Sequence, residues 1–180
     1  MSKTIEQALD AFICRFLQHC DAKKRLLQIE FDDDWPSDAI KQRLNDDQCL
    51  WQPVLQTQDN SLFQLEQGLQ ISVDKQLESY YCRYWSDNID CQTERGGLQL
   101  LFVWNQDDFI RLQENLIAHV LMKRRLKQRD TLFFAVTDED DWILSVLNDT
   151  GEVVLEQVGK EPQEVLAPDL ASFLHMLAPL

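Results

Sequence analysis

No apolar run in these 180 residues approaches the roughly 18 needed to cross a bilayer. Met1 leads into a polar, charged start without the apolar stretch of a secretion signal, so a cytosolic protein is expected. The five cysteines, Cys14, Cys20, Cys49, Cys82 and Cys91, are odd in number, scattered, and form no Cys-x-x-Cys pair. His19 stands beside Cys20, but no second pair lies at ligand spacing, so reduced, mostly packed thiols and no metal are expected. Gly-x-Ser-x-Gly elbows, phosphate loops and dinucleotide fingerprints are missing, and nothing points to a cofactor. Repeats and low-complexity linkers are missing too, and the length suits one domain spanning residues 1–180. Positive charge is also scarce: 17 Lys and Arg face 31 Asp and Glu, a net charge of −14. Five of those cations crowd into residues 123–129. Such a field disfavours nucleic acid or anionic lipid as a direct partner and favours a cationic one, with acidity for mere solubility as the competing reading.

What the chain does have is organised around residues 98–136. Residues 98–103 are a short apolar run rich in β-formers, after Gly96-Gly97, and read as a buried strand. A helix is expected next. Asn105 is a suitable N-cap, Asp108 stands where a capping box would return a hydrogen bond, and Asp107 and Asp108 put negative charge on the positive helix end. Phe109, Leu112, Leu116, Ile117, Val120 and Leu121 recur at helical spacing, which places Arg111, Gln113, Glu114 and the basic tail Lys123-Arg124-Arg125 mostly off the apolar stripe.

Upstream, Thr4-Ile5-Glu6-Gln7 has capping-box form and opens an amphipathic helix to about residue 20. Periodicity fades over residues 21–48, where one short helix after Pro36-Ser37 would carry Ile40 and Leu44. Residues 50–54 read as a strand, and Pro53 assigns it to a sheet edge. Two helices broken near residues 68–72 fit residues 61–85. Downstream, residues 132–136, 142–147 and 152–158 read as strands; residues 138–141 join the first two, and Asn148-Asp149-Thr150-Gly151 is a hairpin turn. Pro168-Asp169 opens a last helix. Strands and helices without a repeated βαβ unit predict an α+β fold with a mostly antiparallel central sheet flanked by helices.

Chemistry is harder to place. His119 and His175 read as packed or stripe-edge histidines rather than catalysts. A hydrolytic carboxylate pair, such as Glu66 with Glu78 or Asp108, needs only spatial adjacency, but adjacency among 31 acids carries little weight. Trp104, Tyr80, Tyr81 and Tyr84 could hold Lys or Arg by cation–π contact beside carboxylates, or could simply fill the core. Asp107 and Asp108 serve first as caps, and residues 138–141 as a solvated turn.

The run Trp104-Asn105-Gln106-Asp107-Asp108-Phe109, then Gln113-Glu114-Asn115-Leu116-Ile117-Ala118-His119 and Lys123-Arg124-Arg125-Leu126-Lys127, resembles the Syd family of SecY-interacting proteins of proteobacteria. Further matching text lies at Trp51-Gln52-Pro53, Thr131-Leu132-Phe133, residues 148–153 and residues 170–179. The resemblance covers most of residues 50–180 and is weaker over 1–48. It implies a SUKH-like α+β binding domain, of the superfamily that includes toxin-immunity proteins, and no enzyme. It further implies an acidic concave surface for the basic cytoplasmic loops of the translocase subunit SecY. A binder of this kind would monitor or restrain improperly assembled SecY, competition with the motor SecA being one route, and would touch the inner membrane's cytoplasmic face only through SecY. Glu66, Glu78, Asp107, Asp108 and Glu114 are the expected charges of that surface, Trp104 and Tyr81 its aromatic floor, and Asp138 and Glu139 its rim. An immunity-type binder of another basic protein and a carboxylate hydrolase stay open as alternatives.

Overall fold

The structure is a computed structural model and describes residues 4–180. Helix α1 (Ile5–Lys23) starts at Thr4, whose hydroxyl accepts from Gln7 N while the Gln7 side chain accepts from Thr4 N. The capping box therefore forms in full. Ile5, Leu9, Phe12, Ile13, Phe16 and Cys20 face the core, and the helix ends where Lys24 turns left-handed at φ 54°. Three short strands follow, β1 (Gln28–Glu30), β2 (Ile40–Arg43) and β3 (Gln48–Trp51), paired in the order β1-β3-β2. This corrects the helix expected after Pro36-Ser37: Ile40 begins a strand, and Leu44 is 42% exposed. Neither residue had a helical stripe to join, and β3 offers the ladder that satisfies their backbone groups. The edge position expected from Pro53 is corrected too. Strand β3 is central in its sheet; Pro53 falls just past its end, before β4 (Val54–Leu55), where no ladder N–H is required.

Helices α2 (Phe63–Leu69) and α3 (Lys75–Tyr81) lead to β5 (Tyr84–Trp85), which pairs with β4. The main sheet is then built from β6 (Ile89–Thr93), β7 (Gly96–Leu100), β8 (Thr131–Thr137), β9 (Trp142–Leu147), β10 (Val153–Gln157), β11 (Glu164–Ala167) and β12 (Ala178–Pro179). Its order is β11-β10-β9-β8-β7-β6-β12, and every pairing is antiparallel. Helix α4 (Gln106–Arg125) crosses from β7 to β8, and α5 (Leu170–Met176) precedes β12. The α+β architecture expected from the sequence is therefore present, with one hydrophobic core running through helices and sheet.

Side chains alternate between faces along a strand. On one face, Thr131, Ser145 and Glu156 meet His119 and Lys123 of α4. On the other, Leu144 pairs across to Ala135 and Leu155, and this face runs toward α5. Four strand steps at about 4.8 Å would put β7 roughly 19 Å from β11 in a flat sheet. Yet Arg95, in the turn before β7, reaches Glu164 of β11 at 2.6 Å. The sheet therefore curls, and the α5 face is its concave side.

Candidate functional site: an acid-rimmed groove

The curl leaves a cavity of about 770 Å³ between the β6–β7 turn, the β8–β9 turn, β11 and the end of α5. Its floor is apolar: half-buried Leu155 and Leu166 and exposed Met176 are its open part, backed by Leu98, Leu144 and Phe173 of the core. Its rim is acidic, formed by Glu94, Asp138, Glu139 and Glu164, with Arg95 as the one cation among the lining residues. Thr137 fixes the β8–β9 turn, because its hydroxyl lies 3.2 Å from Glu139 N and reaches the carbonyls of Glu139 and Trp142. Gly97 lets Asp138 lie back across β7, since a Cβ there would collide with the Asp138 carboxylate. Among the described residues, Glu94, Asp138 and Glu139 pair with no cation. Glu164 does, but Arg95 and Glu164 are 58% and 47% exposed, so that pair contributes at most about 1 kcal/mol.

The opposite face of the sheet carries a different kind of charge. Lys123 Nζ donates to Glu156 Oε2 at 2.5 Å and to the Lys160 carbonyl, while Thr131 and Ser145 hydroxyls each donate to Glu156 Oε1 at 2.6 Å. Thr131 has spent its one O–H, so His119 Nε2, 3.0 Å away, is the donor to Thr131 Oγ1. Burial pushes the Glu156 carboxyl up, but the nearby His119 ring and the hydrogen bonds from Lys123, Ser145 and Thr131 outweigh it and hold it down at about 2. This corrects the placement of Gln113 and Lys123 off the packed stripe of α4. Both are buried, and the buried set Phe109, Gln113, Leu116, His119, Val120 and Lys123 is rotated from the expected one, leaving Leu121 41% exposed.

The expected site residues do not gather on one surface. Asp138 and Glu139 line the groove. Asp107 and Glu114 lie exposed on α4, which packs on the other side of the sheet. Glu66 accepts from Val73 N and Glu78 from Leu62 N, both at 2.9 Å, so these carboxylates fasten the backbone around α2 and α3. Asp108 accepts from Trp104 N at 2.8 Å, one residue before the cap, while Asn105 accepts from Asp108 N. Trp104 is 8% exposed, donates to the Trp35 carbonyl and meets Trp51 edge-on. Tyr81 is corrected outright as an aromatic floor: it is 1% exposed, its hydroxyl donates to the Phe133 carbonyl, and burial raises its pKa. A side chain inside the core has no face for a partner. Glu94 and Glu164, missed in the sequence, stand at the rim; the turn Glu94-Arg95-Gly96-Gly97 was the one available signal.

The thiols are free: Cys20, Cys49 and Cys91 are buried, Cys82 half-buried and Cys14 exposed. Burial pushes Cys82 and Cys91 up to about 12, far from thiolate chemistry. No helix among the described residues is long and apolar enough to cross a membrane.

Fold and groove together define an α+β domain with an acid-rimmed cleft. A family model described as Syd protein (SUKH-2) matches residues 6–179, including the amino-terminal part where the sequence resemblance was weakest. The chain is 44% identical to Protein Syd of Pseudoalteromonas atlantica, over 99% of this chain and 98% of that protein. It is 43% identical to Protein Syd of Alteromonas mediterranea, over 100% and 99%, and 41% identical to that of Colwellia psychrerythraea, over 98% and 93%. The chain belongs to the Syd family.

Proposed function

We propose that this protein is a non-catalytic binder of the basic cytoplasmic loops of SecY and that the acid-rimmed groove is their seat. The unpaired carboxylates of Glu94, Asp138 and Glu139 around a concave surface carry the reading. Together with a net charge of −14, they attract a cationic segment and orient it toward the cleft. Asp107 and Glu114 on α4 add to the field from the far side without lining the groove. The regulatory role follows from occupancy: a loop held here is withheld from SecA, which restrains translocase that is not properly assembled.

Attachment to the membrane face would then pass through SecY. The basic run at 123–129 supports this, because it is less available to lipid than its sequence suggests. Lys123 is buried on Glu156, Arg124 pairs with Asp130 at 2.6 Å and Arg129 with Asp149 at 3.0 Å. Among the described residues only Arg125 and Lys127 of the run have no acidic partner, too few for stable anchoring to anionic lipid. The test is co-purification from detergent-solubilised membranes with and without SecY overproduction. Recovery of the chain should rise with SecY; recovery that ignores SecY, or strong flotation with protein-free anionic vesicles at low salt, contradicts the reading.

A further inference from the structure

A groove that served only to collect positive charge would not need an apolar floor. Here the two chemistries are stacked. Leu155 of β10 and Leu166 of β11, both half-buried, and Met176 of α5 form the open part of the floor, over Leu98, Leu144 and Phe173, which belong to the core. Part of this surface is open to water: Met176 is 50% exposed, and Val165, on the neighbouring edge strand, 53%. The carboxylates sit above it on the two turns, Glu94 before β7 and Asp138 and Glu139 after β8. The cavity is within the size range that encloses a few side chains. Resting on the proposed seat in the groove, we infer that the bound segment is amphipathic, with one or two aliphatic or aromatic side chains set on the floor and cations on both sides of them at the rim.

The two parts do different work. Exposed rim charges draw the segment in and lose strength with salt. The floor gains by removing apolar surface from water, a contribution that salt does not screen. A purely basic loop would leave the floor wet, and a purely apolar one would find no counterpart for Asp138 and Glu139. The groove thus selects for the pattern cation, apolar, cation.

Two synthetic peptides test this on the full chain: one with two leucines flanked by two lysines on each side, and a charge-matched peptide with serines in place of the leucines. The leucine peptide should bind about tenfold or more tightly, the equivalent of burying roughly one CH₂-rich side chain in part, and should keep measurable binding at about 0.5 M salt where the serine peptide does not. Val165→Thr with Met176→Gln, both at exposed positions, should erase most of that advantage while leaving the serine peptide's affinity unchanged. Asp138→Asn with Glu139→Gln should weaken both peptides by a similar factor. Equal affinity of the two peptides, with both still weakened by the Asp138 and Glu139 changes, overturns the amphipathic pattern and leaves the acidic seat standing. Affinities indifferent to Asp138 and Glu139 overturn the seat and the pattern together.

Discussion

The two faces of the main sheet hold carboxylates in opposite ways. Under α4, Glu156 is 0% exposed and saturated by donors from Lys123, Thr131 and Ser145. Across the sheet, Asp138 and Glu139 are exposed and have no cation among the described residues. A desolvated charge is tolerated only when its partners are built in, so the first face spends its electrostatics on fixing α4 against β10. A solvated charge can stay unmatched, so the second face leaves its electrostatics uncommitted within the molecule. Net charge alone would not separate these roles; burial does.

The contrast breaks first at Lys123. Lys123→Ala strands the Glu156 carboxylate in the interior and should cost on the order of 3–5 kcal/mol of stability, read as a lower denaturation midpoint in urea. Pairing Lys123→Met with Glu156→Gln should recover much of that loss, because the paired change buries no unmatched charge. Acid offers a milder route to the same network. The folded-state pKa of Glu156 is depressed to about 2 from its ordinary 4.5, so its contribution is fully present above about 4.5 and fades as pH falls toward 2. Denaturation midpoints measured from pH 5 to pH 3 should drop by an amount that Glu156→Gln largely abolishes. The smallest effect belongs to the groove. Arg95→Ala removes an exposed pair and should change stability by less than about 1 kcal/mol, while raising affinity for a basic peptide because it frees Glu164 and deletes the rim's cation. A large stability loss at Arg95 would mean that the groove is held together by its charges after all.

The fold was readable where periodicity and burial agree. Residues 4–20 and 132–158 announce themselves because one face of each element is apolar, and Thr4, Asn105 and Asp169 cap helices where their spacing says they should. Strands β1 and β2 were illegible for the converse reason: Gln28–Glu30 offers only half-buried Ile29 between two exposed residues, and Ile40–Arg43 is exposed after its first residue. Edge strand β11 follows Pro162 and opens on a glutamate, with Val165 exposed, so its residues carry no strand pattern. Lys123 was misplaced because its matching charge lies 33 residues away in β10. Its spacing nevertheless held the signal, since Leu116, Val120 and Lys123 follow one another at helical intervals on the buried side. The groove was only half visible: Asp138 and Glu139 stand in a recognisable turn, whereas their neighbour Glu164 comes from a strand that the pattern hid and is brought near by the curl. Glu66 and Glu78 are expected charges of the implied acidic surface, but their carboxylates bind backbone amides. Reversing either would disturb α2 and α3 before it tested any partner.

The most direct measurement sets two exposed acidic surfaces against each other at equal change in net charge. Asp138→Lys with Glu139→Lys alters the groove, and Asp107→Lys with Glu114→Lys alters the outer face of α4. Affinity for detergent-solubilised SecYEG, measured for both variants and the unaltered chain from about 0.05 to 0.5 M salt, spans the range over which the Debye length falls well below about 10 Å. An acid-rimmed seat predicts affinity that weakens with salt, a large loss for the groove variant and a much smaller one for the α4 variant. Salt-independent affinity, or equal losses from the two surfaces, would contradict it.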